Sequence, residues 1–224
     1  ADCGFEMTAT AYPWGLELRS ARFPESVQVR LAEDGVFEVT ASDSQILSPV
    51  AVQPLKVEGL GDLYVVLSAA AACARTRPDR VADEFRRRTR SMPRSTEAER
   101  LAVQRVGQGL FRAALLDYWQ GKCCVTGLDL ESLLRASHIR PWAHCESDEQ
   151  RLDVFNGLLL APQLDALFDA GLMTVEDDGF LSYASSISSS HRRNLGLPDD
   201  GRVAGLRPEH VVYLRFHRAE VWRG

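Results

Sequence analysis

The sequence is poor in several things, and each shortage removes a class of protein. No uninterrupted apolar run approaches membrane-spanning length, and the start lacks a basic-then-apolar leader, so a soluble, cytoplasmic chain with no membrane partner is expected. The five cysteines, Cys3, Cys73, Cys123, Cys124 and Cys145, are odd in number and never spaced C-x-x-C. Thiols are therefore expected, with neither disulfides nor a structural zinc. Aromatic residues make up only 8% of the chain, so Tyr12, Trp14 and Phe23 are expected to fill a core rather than stack on a base. Lysine is almost missing: Lys56 and Lys122 stand alone among 26 basic residues. A net charge of −5 does not advertise a polyanion partner, but the arginines are unevenly placed. Arg75, Arg77, Arg80, Arg86, Arg87, Arg88, Arg90 and Arg94 face only Asp79, Asp83 and Glu84 in the same run. A planar guanidinium suits phosphate through paired hydrogen bonds, although a solvated linker would have the same composition.

What is present is enough for a full core, since 45% of 224 residues are hydrophobic. Residues 1 to about 70 read as β-rich. Short β-prone runs lie at Leu16–Leu18, Val27–Leu31, Val36–Thr40 and Leu63–Leu67, with turn signals at Glu33-Asp34-Gly35 and Gly59-Leu60-Gly61. Helical stretches follow from Ser68 to Ala74 and from Asp79 to about Arg90. Ser91-Met92-Pro93 then marks the expected boundary between a module over 1–90, with its basic helical linker, and a second domain over 91–224.

Thr96 and Glu99 form a capping box that opens the next helix. Gly107 and Gly109 are expected to loosen or break it before a second helix, Leu110–Trp119, stopped by Gly121. Leu134–Ile139 reads as a short strand containing His138, and Pro162, Leu164, Leu167, Phe168 and Gly171 outline a short capped helix. A hairpin is expected from Leu172–Val175 and Phe180–Tyr183 around Asp177-Asp178-Gly179. Pro208 then begins a last helix with Val211, Val212, Leu214, Phe216 and Val221 as its packing residues.

On the short helix, Asp165 and Asp169 are four residues apart and share a face, where like charges repel by a few tenths of a kcal/mol. Asp169 also sits near the helix C-terminus, where the macrodipole disfavours an anion by roughly 0.3–1 kcal/mol. A helix that breaks both rules suits a bound cation; the plain alternative is two solvated acids.

The stretch R-A-S-H-I-R-P-W, continued by N-G-L-L-L-A-P-Q-L-D-A-L-F-D-A-G, resembles the HNH endonuclease family. It is most similar to a bacterial branch with a C-x-V-T-G knuckle, here Cys123 to Gly127. The resemblance implies an α+β chain: a ββα-metal nuclease core with flanking helices behind the small β-rich module. It implies His138 as general base, Asn156 as loop or histidine organiser, and Asp165 and Asp169 as metal ligands. Ser137 stands where an acidic ligand is common, and Asp165 where the final histidine is usual. Arg105, Gln108, Arg112, Arg140 and His217 are the implied DNA contacts. One divalent ion, magnesium or manganese, and DNA are the expected cofactor and partner, with a homodimer left open. The implied activity is metal-dependent phosphodiester hydrolysis, restriction or defence being one role open to it. The competing readings are a noncatalytic DNA-binding module on the same fold and a structural protein with an incidental acidic helix. The module over 1–90 is the expected element of target recognition.

Overall fold

A computed structural model describes residues 3–32, 35–47 and 53–224, so Glu33 and Asp34 of the first expected turn lie outside it. The chain divides into two compact units, Ala1–Thr76 and Arg77–Gly224. The division thus falls ahead of the arginine-rich helix, not behind it near residue 91. That helix packs on the helices that follow, because Val81, Ala82 and Phe85 on one face are buried in the second unit's core.

The first unit is an antiparallel sheet in sequence order: β1 (Thr10–Tyr12), β2 (Gly15–Leu18), β3 (Val27–Leu31), β4 (Val36–Ala41) and β5 (Leu55–Glu58). It is followed by α1 (Gly59–Arg75). Val27, Val29, Val39 and Val57 join Leu63, Leu67, Ala70, Ala71 and Ala74 of α1 in one core. The strand expected over Leu63–Leu67 is therefore helix, since Leu63, Leu67, Ala70 and Ala74 recur at three- and four-residue steps and bury one stripe. Phe23 is core, as expected, but Tyr12 and Trp14 are 41% and 40% exposed.

The second unit holds α2 (Pro78–Thr89), α3 (Glu97–Tyr118), β6 (Arg135–His138), α4 (Asp148–Leu152), β7 (Gly157–Leu160) and α5 (Pro162–Asp169). It continues through β8 (Met173–Val175), β9 (Leu181–Tyr183), α6 (Ser189–Asn194) and α7 (Pro208–Glu220). The Thr96–Glu99 capping box is formed, each side chain accepting from the other residue's backbone N–H. The expected break at Gly107 and Gly109 is absent, and α3 runs through both. Gly107 serves packing instead: a Cβ there would lie 2.6 Å from Trp142 Cη2 and 3.3 Å from Phe85 Cε2.

The two glycines make a matched test. Gly109→Ala meets nothing within 4 Å and should gain up to about 1 kcal/mol of helix propensity. Gly107→Ala gains the same propensity but must displace rigid rings, at roughly 1–3 kcal/mol. Urea unfolding should show the first stabilised and the second destabilised.

Helix α3 presses on the β6–β7 pair so closely that a Cβ on Gly157 would meet Phe111 Cζ at 2.6 Å. Phe111, Leu115, Leu134, Ile139, Leu158–Leu160, Leu164, Phe168 and Leu214 form the core beneath. The architecture is thus α+β, with an N-terminal antiparallel sheet and a ββα element, β6–β7–α5, in the C-terminal half. Among the described residues no helix is long and apolar enough to cross a membrane.

Candidate active site

Strands β6 and β7 pair antiparallel, Ser137 opposite Leu158 and His138 opposite Gly157. β7 is buried on both faces and ends at Leu160, and after Ala161 at the N-cap Pro162 starts α5. Side chains alternate along β6, and this separates the work of its last two residues. Ser137 turns toward α5, where its hydroxyl donates to Asp169 Oδ1 at 3.2 Å. His138 turns toward α3 and stacks on Phe111, centroids 3.7 Å apart and rings 14° from parallel. Trp142 closes its edge, centroids 5.6 Å apart at 88°.

One ring nitrogen of His138, Nε2, lies 2.8 Å from the Arg151 carbonyl oxygen. A carbonyl can only accept, so Nε2 carries the hydrogen and Nδ1 keeps the lone pair. Burial pushes the imidazole pKa down to about 4 despite the opposing carbonyl contact. The ring is therefore neutral at pH 7, the form a proton acceptor needs. Phe111, Trp142 and the Arg151 carbonyl fix this state, and no spacing rule singled them out. Only Trp142 stood inside the quoted motif.

Asn156 is completely buried and organises the loop between the two strands. Its Oδ1 accepts from the Arg140 N–H at 2.7 Å. Its Nδ2 donates to the carbonyls of Arg140 at 3.2 Å and Gln150 at 3.0 Å, and contacts Cys145 Sγ at 3.4 Å. The tie to His138 is indirect, through the chain that carries Arg151. Asn156→Ala leaves those buried groups unmatched and should destabilise by about 2–4 kcal/mol, read as a lower urea midpoint.

Asp165 and Asp169 project from α5 beside Ser137. Both carboxyl pKa values are raised. Burial is the main cause for each; for Asp165 the Asp169 charge adds to it, while Ser137 and Arg135 pull the other way. A cleft of about 370 Å³ is bordered by Ser137, His138, Trp142, Asp169 and His217.

Among the described residues no group of three or more His, Cys, Asp and Glu stands close enough to hold a metal ion. Two carboxylates with a serine hydroxyl are an all-oxygen set. It fits a hard ion that keeps several waters, which one or two carboxylates can hold, and lacks the nitrogen and sulfur ligands of structural zinc.

Of the expected DNA contacts, Arg105 and Gln108 lie exposed on α3. Arg112 is occupied: its guanidinium donates to the carbonyls of Leu134 at 2.7 Å and Glu131 at 2.9 Å, bracing the loop ahead of β6. His217 is also corrected, being 1% exposed and stacked on Phe168 at 3.9 Å. Both its nitrogens are used, by Thr174 Oγ1 at 3.0 Å and the Phe168 carbonyl at 3.1 Å, so it has no hydrogen-bonding atom left for phosphate. Arg140 is half-buried over the Phe216 ring at 4.6 Å and paired with Glu146 at 2.8 Å.

The knuckle is tied into the core by its first cysteine. The Cys123 sulfur accepts from the N–H of Thr126 at 3.4 Å and of Ala161 at 3.3 Å, linking it to the start of α5. All five cysteines are free thiols. Residues 123–176 match the family model described as HNH endonuclease, a span from the knuckle through β6, β7 and α5 to the end of β8. No curated protein matches the chain. The paired strands, the helix behind them and this match together mean that the chain carries an HNH endonuclease domain in its C-terminal half.

Proposed function

We propose that the chain is a metal-dependent DNA endonuclease in which His138 is the general base. The observation that carries this reading is the state of His138, neutral, held by a donated hydrogen bond, with Nδ1 left as a lone pair beside a cleft. Phosphodiesters resist attack because their anionic oxygens repel nucleophiles and the alkoxide leaves poorly. A magnesium or manganese ion held by Asp165, Asp169 and Ser137 would neutralise a nonbridging oxygen and the charge growing on the 3′ oxygen. Nδ1 of His138 takes the proton from the attacking water. Asn156 keeps the loop in register, and Arg105 and Gln108 reach phosphates along the strand. The N-terminal unit selects the target, and restriction or defence is the role such a two-part nuclease suits. One observation favours the noncatalytic alternative: the set at the metal position has two acids rather than three.

An imidazole with pKa near 4 is a weaker base than an ordinary histidine, and a bound phosphate should raise it by stabilising the imidazolium. The acid limb of kcat/KM reports the free protein and should lie well below 6.5, with that of kcat above it. A pH series on plasmid substrate checks this; a kcat/KM step at 6.5 would mean a solvated His138. The reading is tested by product ends: nicks left with 5′-phosphate and 3′-hydroxyl should be resealed by DNA ligase. Nicks that ligase cannot seal would point to other chemistry.

A further inference from the structure

We propose that the N-terminal sheet carries a site for one unpaired base of a DNA strand, stacked on Trp14 in the cleft between Trp14 and Pro54. The choice of DNA as partner rests on the nuclease reading; the site itself rests on the geometry of the first unit.

A cleft of about 190 Å³ is lined by Trp14, Gln28, Arg30, Glu38, Thr40 and Pro54. Its floor is two cross-strand pairs, Gln28 opposite Thr40 and Arg30 opposite Glu38, on alternate residues of β3 and β4 and hence on one face. That face is opposite the one whose Val27, Val29 and Val39 pack with α1. Arg30 and Glu38 are joined by an ion pair, with Nε 3.0 Å from Oε2. The floor therefore offers guanidinium and amide donors and carboxylate, amide and hydroxyl acceptors. A heterocyclic base edge presents both kinds.

The wall is an indole that takes no part in the core of the first unit. Trp14 is 40% exposed, and Tyr12 lies parallel to it at 4.7 Å and 8°. This surface stack is held from below. The Tyr12 hydroxyl reaches the buried Glu17 carboxylate at 3.5 Å, which also accepts from Arg19 at 2.8 Å. Gly15 lets the hairpin lie directly on β3, since a Cβ there would sit 2.3 Å from the Val29 carbonyl oxygen. A base entering the cleft would add a third layer to a two-ring stack already in place, so little conformational freedom would be lost on binding. A paired base has both faces covered by its neighbours, which is why the occupant is unpaired.

The test uses the full chain in EDTA, where cleavage does not intervene. A short fluorescein-labelled single strand containing 5-iodouracil is titrated by anisotropy, then irradiated, and the crosslinked residues are mapped by mass spectrometry. Crosslinks are expected at Trp14 or Tyr12, with crosslink yield falling about tenfold or more in Trp14→Ala and largely kept in Trp14→Phe. The proposal is overturned if Trp14→Ala crosslinks like the parent or if crosslinks fall only within residues 77–224. Equal anisotropy of an abasic strand and the normal strand, with no crosslink in the first unit, would show phosphate binding alone and also overturn it. Saturable binding of a neutral oligosaccharide in place of the strand, with no base crosslink, would reassign the cleft to sugar. The nuclease reading fails by a different result, the absence of metal-dependent cleavage while the Trp14 crosslink persists.

Discussion

His138→Gln should cleave DNA about a hundredfold to ten-thousandfold more slowly than the parent, the usual contribution of a general base. Glutamine is the better replacement than alanine for a physical reason. The ring is sandwiched against Phe111 and tied to the Arg151 carbonyl, so His138→Ala would open a gap and strand a partly buried acceptor. Each stranded group costs about 1–3 kcal/mol, enough to confuse lost chemistry with lost fold. A glutamine amide can donate to the same carbonyl but cannot take a proton from water near neutrality. Single-turnover rates with saturating manganese, alongside a melting curve for each variant, separate the two effects. A His138→Gln rate within threefold of the parent would remove His138 from the mechanism.

Manganese at a hundred times its dissociation constant should stabilise the parent by about 2.7 kcal/mol, and Asp165→Ala should lose most of that gain. For a chain of this size the gain corresponds to roughly 5–10 °C in Tm. Without metal the order reverses. Asp165 has a raised folded-state pKa, so the folded protein binds its proton more tightly than the unfolded chain does. Its relative stabilisation is full below the unfolded value of 3.8 and is lost as pH rises through the raised value. At pH 8 the metal-free Asp165→Asn protein should therefore melt above the parent, and near pH 3.5 the difference should vanish. Asp165→His should bind again, with preference moved toward nickel or zinc, because an imidazole is a softer ligand than a carboxylate. Calorimetric titration of the parent, Asp165→Ala and Asp165→His decides the point. Equal manganese affinity in the parent and Asp165→Ala would mean that this side chain is not a ligand.

The parts of this molecule that were legible in the sequence are those where local chemistry and tertiary position agree. Thr96 with Glu99, Pro162, Pro208 and the Asp177-Asp178-Gly179 turn each specify their own backbone, and the structure places elements there as expected. The four-residue spacing of Asp165 and Asp169 likewise suffices to put them together once α5 forms. What was not legible depends on partners remote in sequence. Gly107 reads as a helix breaker until Trp142 and Phe85 are seen to occupy the space its side chain would need. Arg112 and His217 read as phosphate contacts because nothing local shows that carbonyls of Leu134, Glu131 and Phe168 already occupy them. Leu63–Leu67 is ambiguous because a short apolar run fits strand and helix alike, and only its continuity with the alanines of α1 resolves it. Tyr12 and Trp14 read as core by composition, and the reason they stay outside is a hairpin whose position Gly15 determines.

The most direct measurement of the central claim is conversion of supercoiled plasmid to nicked or linear DNA by the full chain, with magnesium or manganese and with EDTA. The account predicts cleavage with either metal, none in EDTA, and recovery when metal is restored in excess. Undiminished cleavage in EDTA would contradict it, as would intact plasmid in both metals from protein that melts cooperatively and binds the same DNA.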